Sequence, residues 1–146
     1  MIVLVDTNVL GRMIQESHAM YEDARTAAAT LLRQKHQLSI IAQNLIEFWA
    51  VATRPLLSNG LALPLDDAVA HVKIFRETFT LLPDTPDIFS EWLRLVEAYA
   101  VSGRQAHDAR IVAAMLVHNA SHLLTFDTDD FKRYNEITVI NPQNVQ

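Results

Sequence analysis

Five short apolar runs, spaced by stretches of helical periodicity, constrain this chain more than any other feature. Ile2–Val5, Leu38–Ile41, Thr80–Leu82, Leu123–Thr125 and Thr138–Ile140 read as strands. Between them the pattern predicts helices over Asn8–Gln15, Ala19–Gln34, Gln43–Thr53, Asp66 to about Glu77, the segment after Pro86 through Tyr99, and Asp108–His118. In "AMYEDARTAAATLLRQ", Ala24, Ala27, Ala28, Leu31 and Leu32 share one side. Pro55 ends the third helix, because the residue before a proline is pushed out of the helical region. The loop "PLLSNGLALP" follows, with the turn pair Asn59-Gly60. Asp66 and Asp67 suit the positive end of the helix they open. Strands alternating with helices predict an α/β fold, a central, mostly parallel sheet with helices on both faces. In such sheets the functional crevice lies outside the carboxyl ends of the strands.

At 146 residues one domain, spanning 1–146, is expected. About two-thirds of the unfolded surface can be buried at this size, enough for a core without staples. The absence of cysteine excludes disulfides and Cys-based zinc or iron–sulfur sites. The N-terminus lacks the basic and apolar segments of a signal peptide. No apolar run approaches the roughly 18 residues that span a bilayer. A soluble, cytoplasmic protein without membrane partners is the expectation. The net charge of −5 argues against nucleic-acid binding through a broad basic surface. It leaves a nuclease open, because acids gathered around a metal raise the negative count while the ion reverses the local sign.

Four carboxylates stand where such a crevice would form. Asp6 ends the first strand, in "MIVLVDTNVL"; a turn or helix cap would also explain it. Glu47, in "NLIEFWAVA", sits among apolar neighbours and needs a solvent face, a partner or a metal. Asn44 lies one turn earlier on the same face, which reads as the polar edge of a site. Asp108 begins a helix after "GRQAH", where an acid also favours the helix dipole. Asp127, in "LLTFDTDDF", follows a strand, with Thr125 two residues before it. Asp129 or Asp130 could cap the short helix that follows. Two carboxylates about 4 Å apart repel by roughly 4 kcal/mol at an effective dielectric near 20. A cluster of this kind holds protons or a cation. Oxygen-only donors select a hard ion, Mg²⁺ or Mn²⁺.

With three glycines and no Gly-rich loop, nucleotide cradles are not expected. His107 reads as a loop or capping residue beside Asp108. His118 and His122 lack metal-ligand companions at the right spacing. No serine-nucleophile signature is present.

"VDTNVL", "NLIEFWAVATRP", "HDARIVAAM" and "LLTFDTDDFKRY", in this order, resemble the PIN-domain ribonucleases, and within them the VapC-type toxins of prokaryotic toxin–antitoxin pairs. The resemblance runs from Ile2 to about Pro142. It implies that Asp6, Glu47, Asp108 and Asp127 form an acidic quartet holding one or two Mg²⁺ ions, with Asp130 competing for the fourth position. It implies that Thr7, Asn8 and Thr125 flank or orient those acids. Arg54-Pro55 and Asn59-Gly60 match a subgroup pattern and read as structural. The activity implied is Mg²⁺-dependent hydrolysis of RNA, with a homodimer and a silencing antitoxin as partners. Arg12, Arg104, Lys132 and Arg133 are the candidate substrate contacts. Phe48, Trp49, Trp92 and Tyr99 exceed the obvious needs of a small core and are candidates for interfaces. A haloacid-dehalogenase-type phosphatase would want Asp-x-Asp after the first strand, where position 8 is Asn. A non-catalytic PIN-like module binding RNA or protein is the other alternative.

Overall fold

The computed structural model describes residues 1–146. The elements run β1 (Ile2–Val5), α1 (Thr7–Arg12), α2 (Tyr21–Arg33), β2 (Gln37–Ile41), α3 (Ala42–Thr53), α4 (Leu65–Thr78), β3 (Thr80–Leu82), α5 (Pro86–Ala98), α6 (Gln105–Val117), β4 (His122–Leu124) and β5 (Thr138–Ile140). Short 3-10 turns occupy Leu56–Ser58, Thr128–Phe131 and Pro142–Asn144. The five strands form one sheet in the order β3-β2-β1-β4-β5. Every pairing is parallel, as the alternation of strands and helices leads one to expect. The edge strands β3 and β5 are three residues each.

Successive side chains on a strand face opposite sides, and both sides of this sheet are dry. Val3 and Val5 of β1 with Leu38 and Ile40 of β2 pack against α1, α2, α3 and α4 through Val9, Leu10, Ala27, Phe48 and Phe75. Leu4, Ile41 and Leu123 face the other way, onto Ile88 and Leu95 of α5 and Ile111, Val112 and Met115 of α6. Burial on both faces explains why the strands read as continuous apolar runs rather than alternating ones.

Three boundaries differ from the sequence expectation in ways that bear on the site. The first helix ends at Arg12, and residues 13–20 form turns, with His18 Nδ1 accepting from the Met20 amide. The helix carrying Asp108 starts three residues earlier, at Gln105, capped by Arg104 and two residues past Gly103, which takes the left-handed region at φ 64°. Gln105, Ala106 and His107 are competent helix formers that the polar look of "GRQAH" disguises. His107 is therefore helical, and Asp108 lies at the fourth helical position rather than at the cap. Strand β4 ends at Leu124; Thr125 still donates its amide to Ile140 O, but its side chain turns toward the strand ends.

Three of the four aromatic residues that looked surplus, Phe48, Trp92 and Tyr99, have partners within the chain. Phe48 is core, packed edge-on against Phe75 at 5.0 Å between ring centroids. Trp92 donates its indole N–H to Ala106 O at 2.8 Å, tying α5 to the start of α6. Tyr99 meets Tyr134 edge-on at 5.1 Å and donates to Glu136.

Candidate active site

Parallel strands send all their carboxyl ends to one rim of the sheet. Asp6 follows β1, α3 follows β2, and Thr125 and Asp127 follow β4. A crossover helix returns antiparallel to the strands, so the first turn of α6, with Asp108, comes to the same rim. Asp6, Glu47, Asp108 and Asp127 line one cleft there, of about 340 Å³.

Asp6 anchors the arrangement. It is 6% exposed. Its Oδ1 accepts the Thr7 amide at 2.8 Å, capping α1. Its Oδ2 accepts the Thr125 hydroxyl at 2.8 Å and the Asn8 carboxamide at 3.3 Å. The same Asn8 nitrogen reaches Thr125 Oγ1 at 3.0 Å and Asp127 Oδ2 at 2.9 Å. Asn8 Oδ1 accepts the Phe126 amide at 3.1 Å, and Thr125 Oγ1 accepts the Asp127 amide at 3.0 Å. Asn8 and Thr125 thus stitch the end of β1 to the end of β4 and hold two acids in place.

Glu47 is positioned from the other side. Thr7 donates its hydroxyl to Glu47 Oε2 at 3.0 Å, and Gln43 donates to Oε1 at 2.8 Å. The Gln43 nitrogen also donates to His107 O at 2.8 Å, and Gln43 Oε1 accepts from Arg110 at 3.2 Å. One carboxamide therefore links α3 to α6 across the strand ends. Asn44 is fully buried and does not line the cleft. It accepts the Ile41 amide at 2.9 Å, capping α3, and donates to Thr7 Oγ1 at 3.4 Å.

The cleft carries uncompensated negative charge. Burial, and then the charges of Asp108 and Glu47, raise Asp6 to about 7, although the Thr125 and Thr7 hydrogen bonds pull the other way. Burial, then the charges of Asp130, Glu47 and Asp127, raise Asp108 to about 6. No three His, Asp or Glu side chains are drawn to the spacing of a closed ion-binding cluster. Glu47 and Asp127 are held by Thr7, Gln43 and Asn8 instead. The donor chemistry nevertheless suits a hard divalent cation: four carboxylates around one cleft, with no histidine, cysteine or methionine among the lining residues.

The remaining sequence candidates divide. Arg12 lines the cleft; Arg104, Lys132 and Arg133 do not. Arg104 precedes α6 on the surface, Lys132 pairs with Asp129, and Arg133 donates to Gln105. Asp130 lies outside the lining yet exerts the largest like-charge effect on Asp108. Gln15, Arg54 and Asn59 are lining residues that the sequence did not single out as site residues. Gln43 was likewise not foreseen. Arg54 and Asn59 were read as structural, and the folding of their loop back to the rim has no local signal beyond the Asn-Gly turn.

Among curated proteins no sequence match is found. Solved structures share the fold. A chain of VapBC-1 from nontypeable Haemophilus influenzae superposes with a TM-score of 0.74 at 14% identity, over 99% of this chain and 100% of that one. A chain of VapBC2 from Rickettsia felis, bound to a DNA fragment from its promoter, gives 0.69 at 19% identity, over 97% and 98%. VapC20 from Mycobacterium tuberculosis, a sarcin–ricin-loop-cleaving toxin, gives 0.63 at 21% identity, over 88% and 92%. The PIN domain family model matches residues 3–137, a span that takes in β2, β3, β4, most of β1 and every acid of the cleft. With nearly its whole length matched, the chain belongs to the PIN domain family.

Proposed function

We propose that this protein is a Mg²⁺- or Mn²⁺-dependent endoribonuclease, the toxin of a VapBC-type pair. The observation that carries the reading is the meeting of Asp6, Glu47, Asp108 and Asp127 in one cleft at the carboxyl rim of the sheet. Those four residues would hold the metal. When bound, it would supply phosphate neutralisation and an activated water for in-line attack.

The chain's own residues have definable tasks. Asn8 and Thr125 orient Asp6 and Asp127, and Thr7 and Gln43 orient Glu47. Burial keeps Asp6 away from bulk water, which strengthens its attraction for a cation. The cleft volume is at the small end for ligand sites. A single strand or a loop of RNA with splayed nucleotides fits it; a duplex does not. VapC20, a structural relative, is a sarcin–ricin-loop-cleaving toxin, and the other two relatives are VapBC structures. They support an antitoxin partner, and a homodimer in the cytoplasm completes the reading. No helix is long and apolar enough to cross a membrane.

The test is incubation of a fluorescent single-stranded RNA with Mg²⁺, with and without EDTA. Chelator-sensitive cleavage is expected. Retention of the RNA without cleavage would make the protein a binding module instead.

A further inference from the structure

The cleft has two chemically different walls. Beside the acids it is lined by Arg12, Gln15, Arg54 and Asn59. Neither arginine forms an ion pair, although four carboxylates line the same cavity; the chain's ion pairs involve Arg94, Arg110 and Lys132. Arg12 Nη1 donates to Gln15 Oε1 at 2.7 Å, and its Nε is buried without a partner. A buried guanidinium nitrogen left unpaired is costly unless the group serves something else.

Arg54 is held by a loop built around it. Gly60 and Ser58 donate their amides to Pro55 O, Leu61 to Val51 O, and Ala62 to Arg54 O. Asn59 takes the left-handed conformation, φ 59°, and its carbonyl accepts from Arg54 Nη2 at 3.2 Å. The loop closes so tightly that a Cβ on Gly60 would lie 2.0 Å from Arg54 O and 2.3 Å from Arg54 Cγ. Only glycine fits there, and the clasp leaves most of the Arg54 fork of donors free.

We infer that Arg12 and Arg54 form a phosphate subsite for RNA, gripping a backbone phosphate next to the one placed at the acids. The inference rests on the proposed RNA-cleaving role of the cleft and deepens it. Planar guanidinium forks match phosphate oxygens in pairs. A polyanion drawn to an acidic rim needs a cationic wall that the acids themselves do not neutralise, and these two residues provide it. The subsite also fixes strand direction, since the two walls are chemically distinct.

The test is independent of cleavage. The Kd of a 5′-fluorescein-labelled single-stranded 12-nucleotide RNA is measured by anisotropy in Ca²⁺ over a KCl series, for wild type, Arg12→Gln, Arg54→Gln, Arg54→Lys and the surface control Lys73→Gln. Each glutamine variant is expected to raise Kd about five- to tenfold and to flatten the slope of log Kd against log [KCl] by about 0.7, one phosphate contact to a single strand. Arg54→Lys should keep the slope and recover part of the affinity, and Lys73→Gln should change neither. Equal Kd and slope in wild type and both glutamine variants overturn the subsite, whether or not the wild type cuts RNA. Cleavage assays on the same proteins test the nuclease reading separately: its failure leaves a weakened Kd in the variants intact, and its success does not rescue an unchanged one.

Discussion

At the scale of single residues, Asp6 sets the energetic character of the cleft. A carboxyl held near 7 in the folded chain but at 3.8 when unfolded binds its proton more tightly in the native state. Stability of the metal-free protein therefore rises as pH falls from about 7 toward 4, and declines as pH climbs through that window. For Asp6 the difference is on the order of 4 kcal/mol at most. Asp6→Asn removes the buried charge, though its amide meets the Asn8 donor awkwardly, so a net gain of about 1 kcal/mol at pH 8 in EDTA is expected. Urea denaturation at pH 5 and pH 8 checks this: the wild type should be the more pH-sensitive of the two. RNA cleavage by Asp6→Asn and Asp108→Asn should be abolished; unchanged cutting by both would contradict the assignment. Asn8 is the second sensitive point. Asn8→Ala leaves the Phe126 amide without its acceptor and frees Asp127. A stability loss of about 1–3 kcal/mol and a 10- to 100-fold fall in kcat are expected, from denaturation and single-turnover cleavage.

At the scale of elements, the backbone carries a correctable strain. Ala100 follows α5 in the left-handed region at φ 52°, with Val101 N donating to Val96 O in the manner of a helix-ending turn. Glycine is the residue suited to that position. Ala100→Gly is expected to stabilise by about 0.5–1 kcal/mol, read as a Tm rise of about 2–3 °C. The same elements show what the sequence could and could not disclose. The inner strands β1, β2 and β4 were legible because they are buried on both faces and so read as apolar runs, whereas the edge strands β3 and β5 are partly exposed and legible only as short β-prone segments between helices. Helix ends were less legible: α6 opens in a polar stretch that disguises its helix formers, and α1 stops early, just past Gly11, where turns take over in a stretch without further glycine or proline. Asp6, Glu47, Asp108 and Asp127 could be picked out because each interrupts or borders an apolar segment. Gln43, Gln15, Arg54 and Asn59 could not. Their places depend on contacts to residues distant in the chain, as with Gln43 and His107, or on how a loop folds back, as with Arg54.

At the scale of the whole molecule, stability and metal binding are linked. A cation that binds the folded cleft and not the unfolded chain adds about 2.7 kcal/mol at a hundred times its Kd. For a domain of this size that is a Tm increase of about 5–10 °C with Mn²⁺ or Mg²⁺, reversed by EDTA. The shift should vanish in Asp6→Asn, and a thermal melt of both proteins with and without metal decides it. A shift of equal size in the variant would place the ion elsewhere.

The sheet also limits how another protein can attach. Each margin is a strand of only three residues. An incoming extended peptide would find too few free backbone donors and acceptors to extend the ladder, so recruitment by strand addition is closed to this chain. Recognition by any macromolecule has to pass through side chains, on the helical flanks or at the mouth of the charged cavity.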